Sequence, residues 1–195
     1  MLSVIIATEN SERLLVPTLS ALIPGAFAGV VREVIVADAG SRDETAAVAD
    51  IAGCRIVVSP APLGARLKSS AAAARGSWLM FLKPGAVPDA TWVDDASRFV
   101  QDTERCAGAH AQAAVFRSTP AARSPHPILA EAMARVAAAL GARPRPQQGL
   151  LISKQLYERL GGHDANGADP EADFLRRLGR RRIVTLRSGV ATAAL

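Results

Sequence analysis

The sequence predicts an α/β fold, a mainly parallel sheet flanked by helices, and three observations carry that reading. Short apolar, β-branched runs alternate with helical stripes between Ser3 and Leu82, the pattern of βαβ units. One of these runs, Val34-Ile35-Val36, is apolar at consecutive positions, as a strand covered on both faces requires. It leads into Asp38-Ala39-Gly40-Ser41-Arg42-Asp43-Glu44-Thr45, a carboxylate at a strand end beside a helix start. That is where open α/β sheets bind ligands.

The elements follow in order. Ser3 to Ala7 reads as the first strand. Asn10 or Ser11 caps a helix whose stripe is Leu14, Leu15, Thr18, Leu19 and Leu22, broken at Pro24-Gly25. After the second strand, Ser41 with Glu44 three residues on reads as a capping box, opening a helix from Asp43 to Ala52. Asp38 and Asp43 are either ligand contacts or the residues that shape this turn. Arg55 to Val58 is a third strand, and Pro60 to Gly64 a loop. An alanine-rich helix then runs to Arg75 with Gly76 as its stop, and Ser77 to Leu82 is a fourth strand.

The second half is less regular. Trp92, Val93, Ala96, Phe99 and Val100 make a helical stripe, Ala109 to Phe116 a strand, and Ser118 to Pro127 a proline-rich loop. Ile128 to Leu140 is an amphipathic helix, for the core or for a membrane or acceptor. Gly149 to Ile152 is a strand, Ser153 a helix cap, Pro170 to Leu178 a helix, and Arg182 to Leu186 a last strand.

Composition narrows the function. The 195 residues suit one domain with a sizeable core, and 49% of them are hydrophobic. No apolar run is long enough to span a bilayer, and the N-terminus opens on a strand with no basic leader, so no signal peptide is expected. Cys54 and Cys106 lack metal-ligand spacing and read as two reduced thiols of a cytoplasmic protein. The net charge of +5 rests on arginine, with Lys68, Lys83 and Lys154 the lysines; it fits an anionic ligand or surface, or a coding bias. Aromatics are 4% and do not interleave with basic residues, which argues against nucleic acid. The loop Ala7-Thr8-Glu9-Asn10-Ser11 carries no glycine, which excludes a G-x-G-x-x-G dinucleotide site and a glycine-rich nucleotidyltransferase loop.

These segments together resemble the bacterial family 2 glycosyltransferases of GT-A, Rossmann-like fold, in their short subtype. Ser3-Val4-Ile5-Ile6-Ala7-Thr8-Glu9-Asn10 is similar to the family's opening S-V-I-I-P-T-x-N-E. Val34 to Thr45 is similar to V-I-V-x-D-x-G-S-x-D-x-T, and Ala72 to Leu82 to the helix and strand before the D-x-D. Leu160-Gly161-Gly162 stands at the G-G-F/Y turn, and Pro170 to Leu178 at E-D-x-x-x-x-x-R-L. The resemblance implies transfer of a sugar, with inversion, from a nucleotide-diphosphate sugar, UDP-type first, in one domain of residues 1–195. Residues 1–88 would bind nucleotide and residues 89–195 face the acceptor. It implies nucleotide contacts from Ala7, Thr8 and Glu9, and from Asp38 and Ser41. In the family, magnesium or manganese on the D-x-D neutralises the diphosphate.

This chain departs at the reacting positions. The D-x-D is replaced by Lys83-Pro84-Gly85-Ala86, and Pro146-Gln147-Gln148 stands for G-D-Q. No metal ligand is therefore assigned and no cofactor is firmly expected. Lys83 is the candidate stand-in for the cation, with Arg66 and Lys68 adding charge or merely solvating a helix start. Glu171 keeps the register of the catalytic base; Asp169 and Asp173 are alternatives, and all three equally suit the charge of a helix N-terminus. Asp89 reads as a helix cap and His163 as structural. Arg176, Arg177, Arg180, Arg181 and Arg182 form a solvated face, or a site for acceptor phosphate or anionic lipid at the inner face of a membrane. Two functions follow: a metal-independent or weakly active glycosyltransferase, and an inactive homologue that binds or scaffolds.

Overall fold

The computed structural model describes residues 1–105, 112–118 and 148–193. Within them the chain runs β1 (Leu2–Thr8), α1 (Glu12–Phe27), β2 (Val31–Asp38), α2 (Thr45–Ile51), β3 (Arg55–Val58), α3 (Leu63–Ala73) and β4 (Trp78–Leu82). Then come β5 (Ala86–Pro88), α4 (Trp92–Arg105), β6 (Ala113–Ser118), β7 (Leu150–Ser153), α5 (Lys154–Arg159), α6 (Pro170–Leu178), a 3-10 turn (Arg180–Arg182) and β8 (Ile183–Thr192). The strands form one sheet in the order β3-β2-β1-β4-β7-β6-β8-β5. Its first half is parallel: β1 pairs with β2 and β4, and β2 with β3. Its second half is mixed: β7 runs antiparallel to β4 and β6, and β8 antiparallel to β5 but parallel to β6.

Each central strand feeds two cores, because successive side chains point to opposite faces. Leu2, Val4 and Ile6 of β1, with Trp78, Met80 and Leu82 of β4, pack against Leu15, Leu22, Ala49, Trp92 and Phe99 of α1, α2 and α4. Ile5, Leu79 and Phe81 pack on the other side against Leu67, Leu156, Tyr157, Phe174 and Leu178 of α3, α5 and α6. Covering on both faces is why these strands are apolar at nearly every position.

Several local expectations are corrected. Pro24-Gly25 does not break α1, which runs on to Phe27. Pro24 and Pro17 keep helical φ and forgo only a donor to Ser20 and Arg13, both exposed. Gly25 is there for space, since a Cβ would lie 2.5 Å from Trp92 ring atoms. Gly76 likewise does not stop α3; the helix ends at Ala73 with Ala74 extended. A Cβ on Gly76 would sit 2.7 Å from the Ser3 nitrogen. The strand expected at Ala109–Phe116 starts at Ala113, and β5, with three residues, was too short to read.

Asp89 does cap: it accepts from Thr91 N and Oγ1, and its other oxygen holds Gly189 N of β8. Ser153 accepts from Leu156 N, as expected of a cap. Cys54 is half-buried, and burial pushes its thiol up to about 11, so it is not an activated nucleophile. Cys106, most of the Ser118–Pro127 loop, the Ile128–Leu140 helix and Pro146-Gln147 lie outside the described residues. Among those described, no helix is long and apolar enough to cross a membrane.

Candidate active site

The parallel strands β1, β2 and β4 end at the same edge of the sheet, and the loops that leave them build the site. Two of these loops are clipped together. Asp38, 2% exposed, closes β2 and accepts four hydrogen bonds. Thr8 Oγ1 (2.8 Å) and Ser41 Oγ (2.5 Å) donate to Oδ1; Gly40 N (2.9 Å) and Ser41 N (2.7 Å) donate to Oδ2. Burial alone would raise the Asp38 carboxyl, but these donors outweigh it and hold the group below its ordinary value. The β1 loop is fastened alongside. Asn10 N donates to Ser41 Oγ, Ser11 N to Thr45 Oγ1 and Glu12 N to Asp43 Oδ2, while Asn10 Oδ1 accepts from Arg42 N. Asn10 takes positive φ to do so.

The capping box expected at Ser41 and Glu44 therefore does not form. Ser41 is committed to Asp38, and α2 starts at Thr45 with Asp43 accepting from Thr45 N and Oγ1. Every polar residue of the Asp38–Thr45 stretch that the sequence offered as a ligand contact is engaged within this clip. Asp38 has no acceptor position left for a base in this arrangement.

Beside the clip lies a cleft of about 330 Å³. Ala7, Thr8 and Glu9 line it from β1, Arg66 from α3, Lys83 from the turn after β4, and Glu171 from the first turn of α6. The turn that carries Lys83 is pinned to α1, because Gly85 N donates to Leu14 O and Thr18 Oγ1, both at 2.9 Å. Gly85 has φ 85°, which favours glycine. The first turn of α6 is fixed by Asp169, which accepts from Ala172 N, and by Pro170 at the first helical position.

Arg66 is 7% exposed. Its Nη1 donates to Thr8 O (3.1 Å) and Ala37 O (2.6 Å), and its Nε to Ala61 O (3.2 Å), so it ties the ends of β1 and β2 together. Among the described residues no carboxylate pairs with it, so a buried positive charge, met only by backbone carbonyls, borders the cleft.

Lys83 Nζ and Glu171 Oε2 meet at 2.8 Å, with side chains 40% and 16% exposed. Burial pushes the Glu171 carboxyl up, Asp169 adds to that, and Lys83 opposes it; the result is above the ordinary value. The two residues assigned separate catalytic roles from sequence are thus partners in one ion pair.

Six of the nine sequence-assigned residues converge on the cleft: Ala7, Thr8, Glu9, Arg66, Lys83 and Glu171. Asp38 and Ser41 form the adjoining clip, and Lys68 is exposed on α3 and does not line the cleft. Asp173 is taken by Arg176 and Arg177. His163 is structural, as read: it is 2% exposed, bonded through Nδ1 to Tyr157 Oη at 2.8 Å and packed on Phe81 and Phe174. Burial lowers it to about 4.

Two supports were missed. Thr18, a lone hydroxyl in the apolar stripe of α1, was the available signal for the Gly85 anchor. Gly64 packs against the 164–170 loop, where a Cβ would overlap Asp164 O.

Among the described residues, the ligands for a divalent cation that the family resemblance implies are not assembled. Among the described residues no group of three His, Cys, Asp or Glu converges. Of the cleft's carboxylates, Glu171 holds an ammonium where a cation would need free oxygen ligands.

Residues 3–126 match the family model described as glycosyl transferase family 2. Solved structures share the fold. Glucosyl-3-phosphoglycerate synthase from Mycobacterium tuberculosis, with Mn2+, UDP and glucosyl-3-phosphoglycerate, superimposes with TM-score 0.68 at 22% identity, over 100% of this chain and 72% of that one. The same synthase with UDP gives 0.67 at 22%, again over 100% and 72%. A mycobacterial protein gives 0.70 at 22%, over 100% and 67%. No curated protein sequence matches.

Proposed function

Because the chain belongs to the family 2 glycosyltransferases, on a GT-A α/β scaffold, we propose that it transfers a sugar from a nucleotide-diphosphate sugar to an acceptor hydroxyl without a metal ion. The observation that carries this is the convergence of Lys83, Arg66 and the largely buried Glu171 on one cleft at the carboxyl ends of β1 and β4. Two cations suit a diphosphate, and a carboxylate above its ordinary value suits a base.

In this reading the β1 loop, Ala7 to Glu9, cradles the nucleoside, and Asp38 and Ser41 act by holding that loop rather than by touching the base. Glu171 takes the proton of the acceptor hydroxyl. The acceptor oxygen bonds the anomeric carbon from the face opposite the leaving group, which inverts its configuration. The bond from that carbon to the phosphate oxygen breaks, and its electron pair leaves with the nucleoside diphosphate. Lys83 and Arg66 stabilise the charge that develops there. Lys83 is a point charge on a flexible stem, so it neutralises well but orients two phosphates less firmly than a cation would.

Residues 1–88 serve the donor and residues 89–195 the acceptor. Arg180, Arg181 and Arg182 are exposed, with no ion-pair partner among the described residues, and support contact with an anionic acceptor or the inner face of an anionic membrane in the cytoplasm.

The test is turnover of a panel of UDP- and GDP-sugars in chelator, read as nucleoside diphosphate release, with the product anomer assigned by NMR. Release that persists in chelator and disappears in Glu171→Gln supports the reading; no release from any donor removes it. A second reading, an inactive binding homologue, is favoured by the ion pair that occupies both reacting side chains in the free protein. It predicts nucleotide binding with no release.

A further inference from the structure

Resting on the donor reading above, we infer that the Lys83–Glu171 ion pair is a latch opened by the donor: the diphosphate draws the Lys83 ammonium to itself and frees Glu171 to act on the acceptor.

Three observations lead there. The pair spans the cleft from two separate elements, the turn after β4 and the first turn of α6, so the contact is tertiary and can be exchanged without unfolding either. The partners differ in freedom. Glu171 is held at the start of a helix braced by Asp169 and Pro170, whereas Lys83 is two-fifths exposed on a long stem. Lys83 is therefore the partner that moves. The cleft also favours the exchange. Arg66 offers an incoming anion a second positive charge, and a diphosphate carries more charge than one carboxylate.

The consequence is electrostatic. With Lys83 engaged elsewhere, Glu171 is a largely buried carboxylate facing a bound anion. The other charged groups around it are Asp169 on its own helix, Glu9 on the β1 loop and Arg66 on α3. Two of those three are negative, so the freed carboxylate becomes a stronger base than in the empty protein. Donor binding would thus switch on acceptor deprotonation, and an acceptor arriving first would meet a base neutralised by Lys83. The same step predicts that nucleotide binding places a fraction of a proton on Glu171, and the fraction that stays ionised is the base that acts on the acceptor. The bound state holds more protons than the free state, so affinity rises as pH falls.

The experiment is calorimetric titration with UDP at pH 6.5 in buffers of low and high ionisation enthalpy, on the wild type and on Glu171→Gln. The wild type should take up a fraction of a proton per UDP beyond what Glu171→Gln takes up, and the difference should shrink in Lys83→Met, where the pair is already open and only the bound anion still acts on Glu171. Equal proton counts in wild type and Glu171→Gln, with UDP bound by both, would overturn the latch while leaving the donor reading intact. Absence of UDP and GDP binding by folded wild type would overturn both.

Discussion

Asp38 and Glu171 are both largely buried carboxylates at the same edge of the sheet, and they are held in opposite ways. Asp38 has four hydrogen-bond donors, two side-chain and two backbone, and sits below its ordinary carboxyl value. Glu171 has one flexible ammonium and sits above its own. A carboxylate whose every acceptor position is filled by local donors is a structural hub. One that is buried but neutralised by a single movable charge is available for chemistry. The difference separates the part of the site that shapes the cleft from the part that reacts.

The contrast is sharpest in stability. Asp38→Ala strands two hydroxyls and two N–H groups at once and should cost about 3–5 kcal/mol in urea denaturation, partly unfastening the β1 loop. A loss under about 1 kcal/mol would break the contrast.

The next effect is acid sensitivity. His163 is held neutral down to about 4, so the unfolded chain binds a proton first as pH falls from about 6.5. Stability should drop by about 2–3 kcal/mol over that window. Asp38, with its value lowered, contributes stability above the ordinary 3.8 that is lost as pH falls below it. His163→Gln should flatten the first limb and Asp38→Asn the second. Glu171, with its value raised, works the other way: the folded chain binds its proton first as pH falls and so offsets part of the His163 loss, and Glu171→Gln should steepen the first limb.

Gly25→Ala pushes a methyl onto Trp92 and should cost about 1–3 kcal/mol in thermal unfolding without touching nucleotide affinity. At the small end, Lys83→Met should change stability by less than about 1 kcal/mol, since the lysine is two-fifths exposed, yet weaken UDP at least about tenfold. A large stability loss in Lys83→Met would make the pair structural and erase the contrast.

How far the sequence was legible follows the same division. The apolar runs around Val4–Ile6, Val34–Val36 and Leu79–Leu82 specified buried strands, because two-sided covering leaves no room for polar alternation. The carboxyl-edge position of Lys83 and the first-turn position of Glu171 were readable from element order and register. Glycines misled: Gly25 and Gly76 read as breakers, but each clears space for a side chain or backbone from a distant segment, which local propensity does not register. Ser41 misled too, since a capping pattern and a clip to the previous strand use the same residue types at the same spacing. The pairing of Lys83 with Glu171 joins residues almost half the chain apart and follows only from the sheet order that brings β4 against α6.

The most direct measurement is calorimetric titration of the intact protein with UDP and with GDP, in chelator and again in manganese. The account predicts that one nucleotide binds with the same affinity in both conditions and that Lys83→Ala weakens it. Binding that appears only with manganese, or no binding by folded protein, would contradict a cleft in which Lys83 and Arg66 do the work of the cation.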